Sequence, residues 1–321
     1  MDYYDVFNGD ADGLCALHQL RLVEPREATL ITGVKRDIAL LQRVPVGHSS
    51  LVTVLDISLD RNRAALKALL DAGAQVDYFD HHHAGAIPRH PALRAHIDTA
   101  ADVCTSVLVD RHLAGAQRIW AVVGAFGDNM DDVALKLAVT LDLQASQVAA
   151  LQDLGQCLNY NAYGENQQDL FVPPEQLYRL LRQYSDPFEF IALAPELSVI
   201  RQGCRDDLAL ALRLEPHLAC AGGRLFLLPD APWSRRVYGA FGNALNRLAP
   251  VQAHAVLTPD GGGSYGVSVR APLRDPRGAD RLCAAFPGGG GRQAAAGIDR
   301  LAPQQLAQFV SAFERIFGRI G

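Results

Sequence analysis

The chain has 321 residues, with 30 Lys+Arg against 35 Asp+Glu and a formal net charge of −5. Hydrophobic residues make up 49% and charged residues 20%, the balance of a folded globular protein and not of a disordered one. Single cores stop growing near ~250–300 residues, so two domains are expected. The acidic surplus excludes the basic coat that long nucleic acid requires, which leaves phosphate recognition local.

In chain order, Tyr4–Phe7 reads as a strand, and Gly13–Leu22 as a helix with Leu14, Leu17 and Leu20 at helical spacing. Between them lies Asn8-Gly9-Asp10-Ala11-Asp12-Gly13, which read alone is turn chemistry. Ala28–Thr32 is strand-like and is followed by Lys35 and Arg36. Leu51–Leu55 is a buried-strand run ending at Asp56, and a helical pattern follows near Arg61–Leu70. Ala74–Phe79 is a further strand and leads into Asp80-His81-His82-His83. The apolar run Ile119–Phe126 precedes Gly127-Asp128-Asn129. Strands alternating with helices predict βαβ units and a mainly parallel sheet.

The texture changes beyond Leu143. The stretch 159–174 is rich in Asn, Gln, Gly and Pro and reads as a loop or connection, with Pro187 and Pro195 punctuating helical segments. From about Leu208 the pattern turns β-rich: Arg224–Leu228, Ala253–Leu257 and Tyr265–Arg270 are strand candidates, with a turn at 260–263. A Gly-rich loop and a helix over Gln304–Ile316 close the chain. The expected domains are 1–150, a connecting segment 151–195, and 196–321. The six Cys show no C-x-x-C spacing and read as reduced thiols. The acidic start lacks a secretory n-region, and no apolar run is long enough to cross a bilayer. Together these predict a cytoplasmic protein without a membrane partner.

The acidic and His-bearing sites sit at strand ends or beside buried runs. Open α/β sheets bind ligands outside the carboxyl ends of their strands, so Asp10, Asp12, Asp56 and Asp80–His82 should converge on one edge, joined by Asp128. Carboxylates and imidazoles packed together repel unless cations pair them. Mixed Asp and His ligands suit Mn²⁺, with Mg²⁺, Co²⁺ or Fe²⁺ as alternatives. Two such ions about 3.5–4 Å apart are a standard device for displacement at phosphorus.

The order Asp10-Ala11-Asp12-Gly13, Asp56, Asp80-His81-His82 and Asp128 resembles the four motifs of the DHH phosphoesterase superfamily, the first in its RecJ-like form. Phe286-Pro287-Gly288-Gly289-Gly290-Gly291-Arg292-Gln293-Ala294-Ala295-Ala296-Gly297, preceded by Val267–Arg270, resembles the glycine-rich signature of the DHHA1 domain. The resemblance implies a mainly parallel α/β catalytic domain and a smaller α+β substrate domain, with the active site in the cleft between them. It also implies two divalent ions. Asp10 would bind one and Asp12 the other, Asp56 would bridge them, and His81 and Asp128 would complete the shell of the second ion. His82 would meet the scissile phosphate, and Asp80 would orient a neighbouring His. Homodimers are common among such enzymes.

This sequence departs from the pattern at two positions. Many members carry a His four residues before the first motif Asp, where Val6 stands, or an Asp two residues before it, where Asn8 stands. Asn8 is thus a weak or water-mediated metal ligand. The usual His after the glycine run is Arg292, which cannot shuttle protons but can clamp a terminal phosphate. On the substrate side, Gly289, Gly290 and Gly291 offer backbone N–H groups to an anion, and Arg270 or Arg292 a bidentate fork. Lys35 and Arg36 are candidates for substrate contact or for a solvated loop. Asn159, Asn161 and Tyr163 are cleft-lining or linker residues, and Arg235 and Arg236 are surface residues.

These readings point to hydrolysis of linear dinucleotides such as pGpG, or of very short oligonucleotides, to mononucleotides. The alternatives are polyphosphate or cyclic dinucleotides at the same site, or a non-catalytic nucleotide sensor.

Overall fold

The computed structural model describes residues 2–47 and 50–318. The chain divides into two compact units, residues 1–201 and 202–321.

The first unit begins β1 (Asp2–Asn8), α1 (Ala11–Val23), β2 (Thr29–Gly33), β3 (Ser50–Leu55), α2 (Leu59–Asp71), β4 (Gln75–Asp80) and β5 (Leu93–Ile97). Helices follow: α3 (Thr105–His112), α4 (Arg118–Gly127), α5 (Asp131–Val139), α6 (Ala145–Asn161), α7 (Pro174–Leu181), α8 (Pro187–Leu193) and α9 (Pro195–Ala211), whose residues from Gln202 on belong to the second unit. The five strands lie in the order β2-β1-β3-β4-β5 and every pair is parallel. Parallel strands are buried on both faces, which is why β3 and β4 read as near-continuous apolar runs. On one face Val52, Val54 and Tyr78 of the strands cluster with Leu66 and Leu69 of α2. On α1, Leu14, Cys15 and Leu17 are buried, and this helix packs against α3 and α4, with α4 in turn against α6.

The chain leaves β1 towards β2 and returns on the other side to β3, so the strand order reverses at β1. Ligand crevices form at such a reversal, outside the carboxyl ends. Register brings the site residues into a row there. Phe7 pairs with Leu55 and Leu55 with Phe79, so Asn8, Asp56 and Asp80 each stand one step beyond.

The second unit has a sheet ordered β10-β11-β9-β8-β7-β6, from β6 (Leu218–Cys220), β7 (Gly223–Leu227), β8 (Ala253–Pro259), β9 (Tyr265–Arg270), β10 (Gly289–Gly291) and β11 (Ala295–Leu301). Only β7 and β8 pair in parallel, with α10 (Pro232–Leu248) as their crossover. The helices α11 (Ala279–Cys283) and α12 (Leu306–Phe317) complete the unit. Its core joins Leu225, Val267 and Val269 to Phe286, Phe309 and Phe313.

Two expectations change here. The β-rich texture expected from Leu208 begins later, because α9 continues to Ala211. Arg236, expected on the surface, is part-buried and paired with buried Asp207, its Nε 2.8 Å and Nη2 3.1 Å from the carboxylate. Among the described residues, no helix is long and apolar enough to cross a membrane.

Candidate metal centre

The Asp-x-Asp turn is built by its own hydrogen bonds. Asp10 is the N-cap of α1, where its Oδ1 accepts from the N–H groups of Asp12 and Gly13, both at 3.1 Å. The Asn8 side chain accepts from the Asp10 N–H at 3.2 Å and donates to the Lys35 carbonyl at 3.2 Å. Both polar ends of Asn8 therefore serve the turn.

Asp12 stands in the first turn of α1 and reaches another helix. Its Oδ2 accepts from the Thr105 N–H and its Oδ1 from the Ser106 N–H, both at 2.7 Å. These are the first two residues of α3, whose own N-cap, Cys104, makes no side-chain cap bond. Asp12 thus caps α3 from across the core, and the positive end of that helix favours its charge.

Asp56 follows β3 with φ at 59°, a left-handed conformation in which Asp is better tolerated than most residues. Its Oδ1 accepts from the Thr105 hydroxyl at 3.1 Å. Asp80, fully buried at the end of β4, accepts at Oδ1 from the His82 N–H at 3.2 Å and lies 2.7 Å from His82 Nδ1. Its Oδ2 accepts from the Leu59 N–H at 3.4 Å.

His81 Nε2 lies 3.4 Å from Asp56 Oδ1, 3.8 Å from Asp128 Oδ2 and 4.0 Å from Asp12 Oδ2. Atoms about 2.1 Å from a shared cation lie about 3.0 Å apart in adjacent octahedral positions and about 4.2 Å apart in opposite ones. The observed spacings fall within that span, so the residues fit a divalent ion. Two overlapping donor sets result, Asp12–His81–Asp128 and Asp56–His81–His82.

Asp10 belongs to neither set. Its Oδ2 lies 2.5 Å from Lys35 Nζ, which also donates to Asn159 Oδ1 at 3.0 Å and stands 3.7 Å from Asp128 Oδ1. The Lys35 N–H is held by the Ala162 carbonyl at 2.9 Å.

The electrostatics agree with a cation site. Burial pushes the Asp56 carboxyl well above the usual range, and the charges of Asp10, Asp12 and Asp128 add to it. Burial likewise lifts Asp128 to about 6, with Lys35 opposing the shift and Asp12 reinforcing it. Burial also works against a charged Asp10, but Lys35 and the Gly13 N–H outweigh it, so its pKa falls below 3.8. Burial disfavours protonated His82, and Asp80 more than compensates, raising it above its ordinary value. Crowded acids that resist ionisation await a positive partner.

The structure therefore brings together Asp10, Asp12, Asp56, His81, His82 and Asp128, while His83 is exposed. Lys35, weighed on sequence only as a substrate contact or loop residue, lies inside the cluster. Its signal was placement: Asn8 pairs with Gly33, so Lys35 follows at the same sheet edge. Asn159, Thr105 and Ser106 carried no comparable signal. Asn161 is spent on Val172, bonding both its N–H and carbonyl groups.

On the second unit, Arg270 is engaged with Asn243, Ser268 and the Val269 carbonyl. Arg292 is exposed. The glycine run, expected as a loop cradling an anion, forms an edge strand instead, with Gly289 opposite Ile298 and Gly291 opposite Ala296. A Cβ on Gly289 would lie 1.9 Å from the Cys283 carbonyl oxygen, so packing alone demands glycine there.

No protein-family model and no curated protein matches the sequence. Solved structures do. The exonuclease RecJ bound to manganese aligns over 98% of this chain and 89% of its own, with TM-score 0.63 and 17% identity. RecJ of Thermus thermophilus in complex with Mn²⁺ gives TM-score 0.64 at 18% identity over 98% of this chain, which spans about half of it (51%). A pGpG-specific phosphodiesterase of Vibrio cholerae aligns over 100% of this chain and 99% of its own, with TM-score 0.55 and 14% identity. The chain thus shares the fold of these RecJ and phosphodiesterase structures.

Proposed function

We propose, from this fold and the DHH/DHHA1 resemblance of the sequence, that the chain is a metal-dependent phosphodiesterase that hydrolyses linear dinucleotides or very short oligonucleotides to mononucleotides. The observation that carries this reading is the gathering of Asp12, Asp56 and Asp128 around His81 Nε2, at the point where strand order reverses. A divalent cation held there, Mn²⁺ by the donor set, supplies Lewis acidity to water and to the phosphoryl oxygens.

The chain's own groups do the rest. Asp80 fixes His82 through Nδ1 and favours its imidazolium form, whose Nε2–H would then give a proton to the leaving oxygen. Asp12, pinned by two N–H groups of α3, keeps its carboxylate in place whether or not substrate is present. Lys35 adds positive charge beside the phosphate. The exposed guanidinium of Arg292 is suited to a terminal phosphate, with Arg270 and the 289–291 strand beside it as further substrate contacts.

The net charge of −5 favours a small anionic substrate over a long polymer. The fold likeness to a pGpG-specific enzyme supports the dinucleotide over other phosphoesters.

The test is chromatography of products after incubation with Mn²⁺ and pGpG, with Asp56→Ala as control. Conversion to GMP that the control abolishes is expected. Intact pGpG with the metal bound overturns the dinucleotide reading, and turnover of polyphosphate or a cyclic dinucleotide would then reassign the substrate. Full activity in the control overturns the metal site.

A further inference from the structure

The donor sets and Lys35 together bear on how many cations the centre holds. Asp12–His81–Asp128 and Asp56–His81–His82 share His81. An imidazole nitrogen has a single lone pair to give a metal, so one His81 nitrogen cannot serve two ions at once. Its Nε2 is the atom that Asp12, Asp56 and Asp128 approach. The two sets are therefore alternative placements of one ion, or one wider shell around it.

A second ion would have to draw on Asp10, the remaining carboxylate of the turn. Asp10 is already committed on both oxygens. Its Oδ1 caps α1, and its Oδ2 pairs with the Lys35 ammonium at 2.5 Å. That ammonium also faces Asn159 Oδ1 at 3.0 Å and Asp128 Oδ1 at 3.7 Å, which gives it an oxygen shell of its own. Its backbone is fixed on both sides, by Asn8 at its carbonyl and by Ala162 at its N–H. Asn8, where a carboxylate would be needed to strengthen a second metal shell, is used instead to hold Lys35. The side chain of Lys35 keeps 27% of its surface exposed, enough to meet an incoming phosphate.

We infer that the Lys35 ammonium takes the place of a second divalent ion, so that the centre binds one metal ion per chain and presents a metal and a lysine to the phosphodiester. Asp10 is on this view a ligand of Lys35 and not of a metal. Asn159 is a positioning residue that completes the ammonium's shell. The inference rests on the proposed function only in treating the cluster as a cation site.

Equilibrium dialysis against Mn²⁺ with metal analysis, together with electron paramagnetic resonance, tests it on the whole chain. Wild type is expected to hold about one Mn²⁺ per chain, with the hyperfine-split spectrum of an isolated ion. Lys35→Met removes the charge at similar length and is expected to admit a second ion, raising uptake to about two per chain with a broadened, exchange-coupled spectrum. Lys35→Arg keeps the charge and is expected to stay near one, and it guards against a Lys35→Met variant that fails to fold. Two coupled ions in wild type overturn the inference, as does one ion in both wild type and folded Lys35→Met. Two ions with pGpG still converted to GMP would sink this inference alone. A chain that takes up no divalent metal would sink the proposed function with it.

Discussion

Asp80 and His82 form the shortest side-chain link to a His in the centre, with Asp80 Oδ1 2.7 Å from His82 Nδ1. An ionised carboxylate can only accept, so the hydrogen sits on Nδ1 and Nε2 is left for metal or substrate. Asp80→Asn removes that preference at constant shape. A fall in kcat of roughly 10–100-fold is expected, with bound metal unchanged, measured by steady-state kinetics and metal analysis side by side. Unchanged kcat would remove His82 from the chemistry.

Asp56 trades stability for metal affinity. Its carboxyl is pushed up by burial and by three neighbouring carboxylates, so it strains the metal-free fold. Asp56→Asn keeps the shape and removes the charge. The metal-free variant is expected to melt a few degrees above wild type, and to lose most of the upward shift that Mn²⁺ gives wild type. Thermal melts with and without Mn²⁺ check both halves. A metal-free variant less stable than wild type would contradict the repulsion.

Asp128 should make metal-free stability depend on pH. Its pKa is about 6 in the fold against 3.8 ordinarily, so the fold favours the neutral form. Its contribution is fully present below pH 3.8 and is lost as pH rises through about 6. The loss is at most about 3 kcal/mol, at about 1.4 kcal/mol for each tenfold change in proton affinity. Urea denaturation of the metal-free chain from acid to neutral pH measures the slope, and Asp128→Asn should flatten it. Mn²⁺ affinity should rise over the same interval, because the metal must displace that proton.

Gly127 couples helix packing to the centre. A Cβ there would lie 2.2 Å from the Cβ of Ala11 and 2.9 Å from the Gly155 carbonyl oxygen. Ala11 stands between Asp10 and Asp12, so Gly127→Ala must push the first turn of α1 away from α4. A destabilisation of about 1–3 kcal/mol is expected, with weakened Mn²⁺ binding, measured by urea denaturation and dialysis. Normal metal affinity in a destabilised variant would separate the packing from the site.

Much of the first unit was legible in the sequence because strands buried on both faces leave unbroken apolar runs, as in Leu51–Leu55, with Asp56 and Asp80 at the ends of β3 and β4 and Asp10 two residues beyond β1. Asp10, Asp12, Asp56, His81 and Asp128 were found on that pattern. β5 was missed, since Arg94 and His96 break its apolar run and an exposed edge strand needs none. Ile119–Phe126 was seen only as apolar, because a helix buried on nearly all sides loses the periodicity that would identify it. The Lys35–Asn159 bond joins residues far apart in sequence, and the α3 cap on Asp12 is likewise long-range. Neither leaves a local trace. The glycine run misled because a loop and a close-packed edge strand can demand the same residue.

The left-handed backbone at Asp56 narrows which residues that position can accept. Glu could reach a metal as well as Asp, but its longer side chain offers the backbone no local hydrogen bond that eases a positive φ. Gly and Asn fit the turn and bring no charge. Chain geometry and coordination chemistry thus intersect on a single amino acid, and the position would resist substitution even in a descendant that had abandoned catalysis but kept its ion.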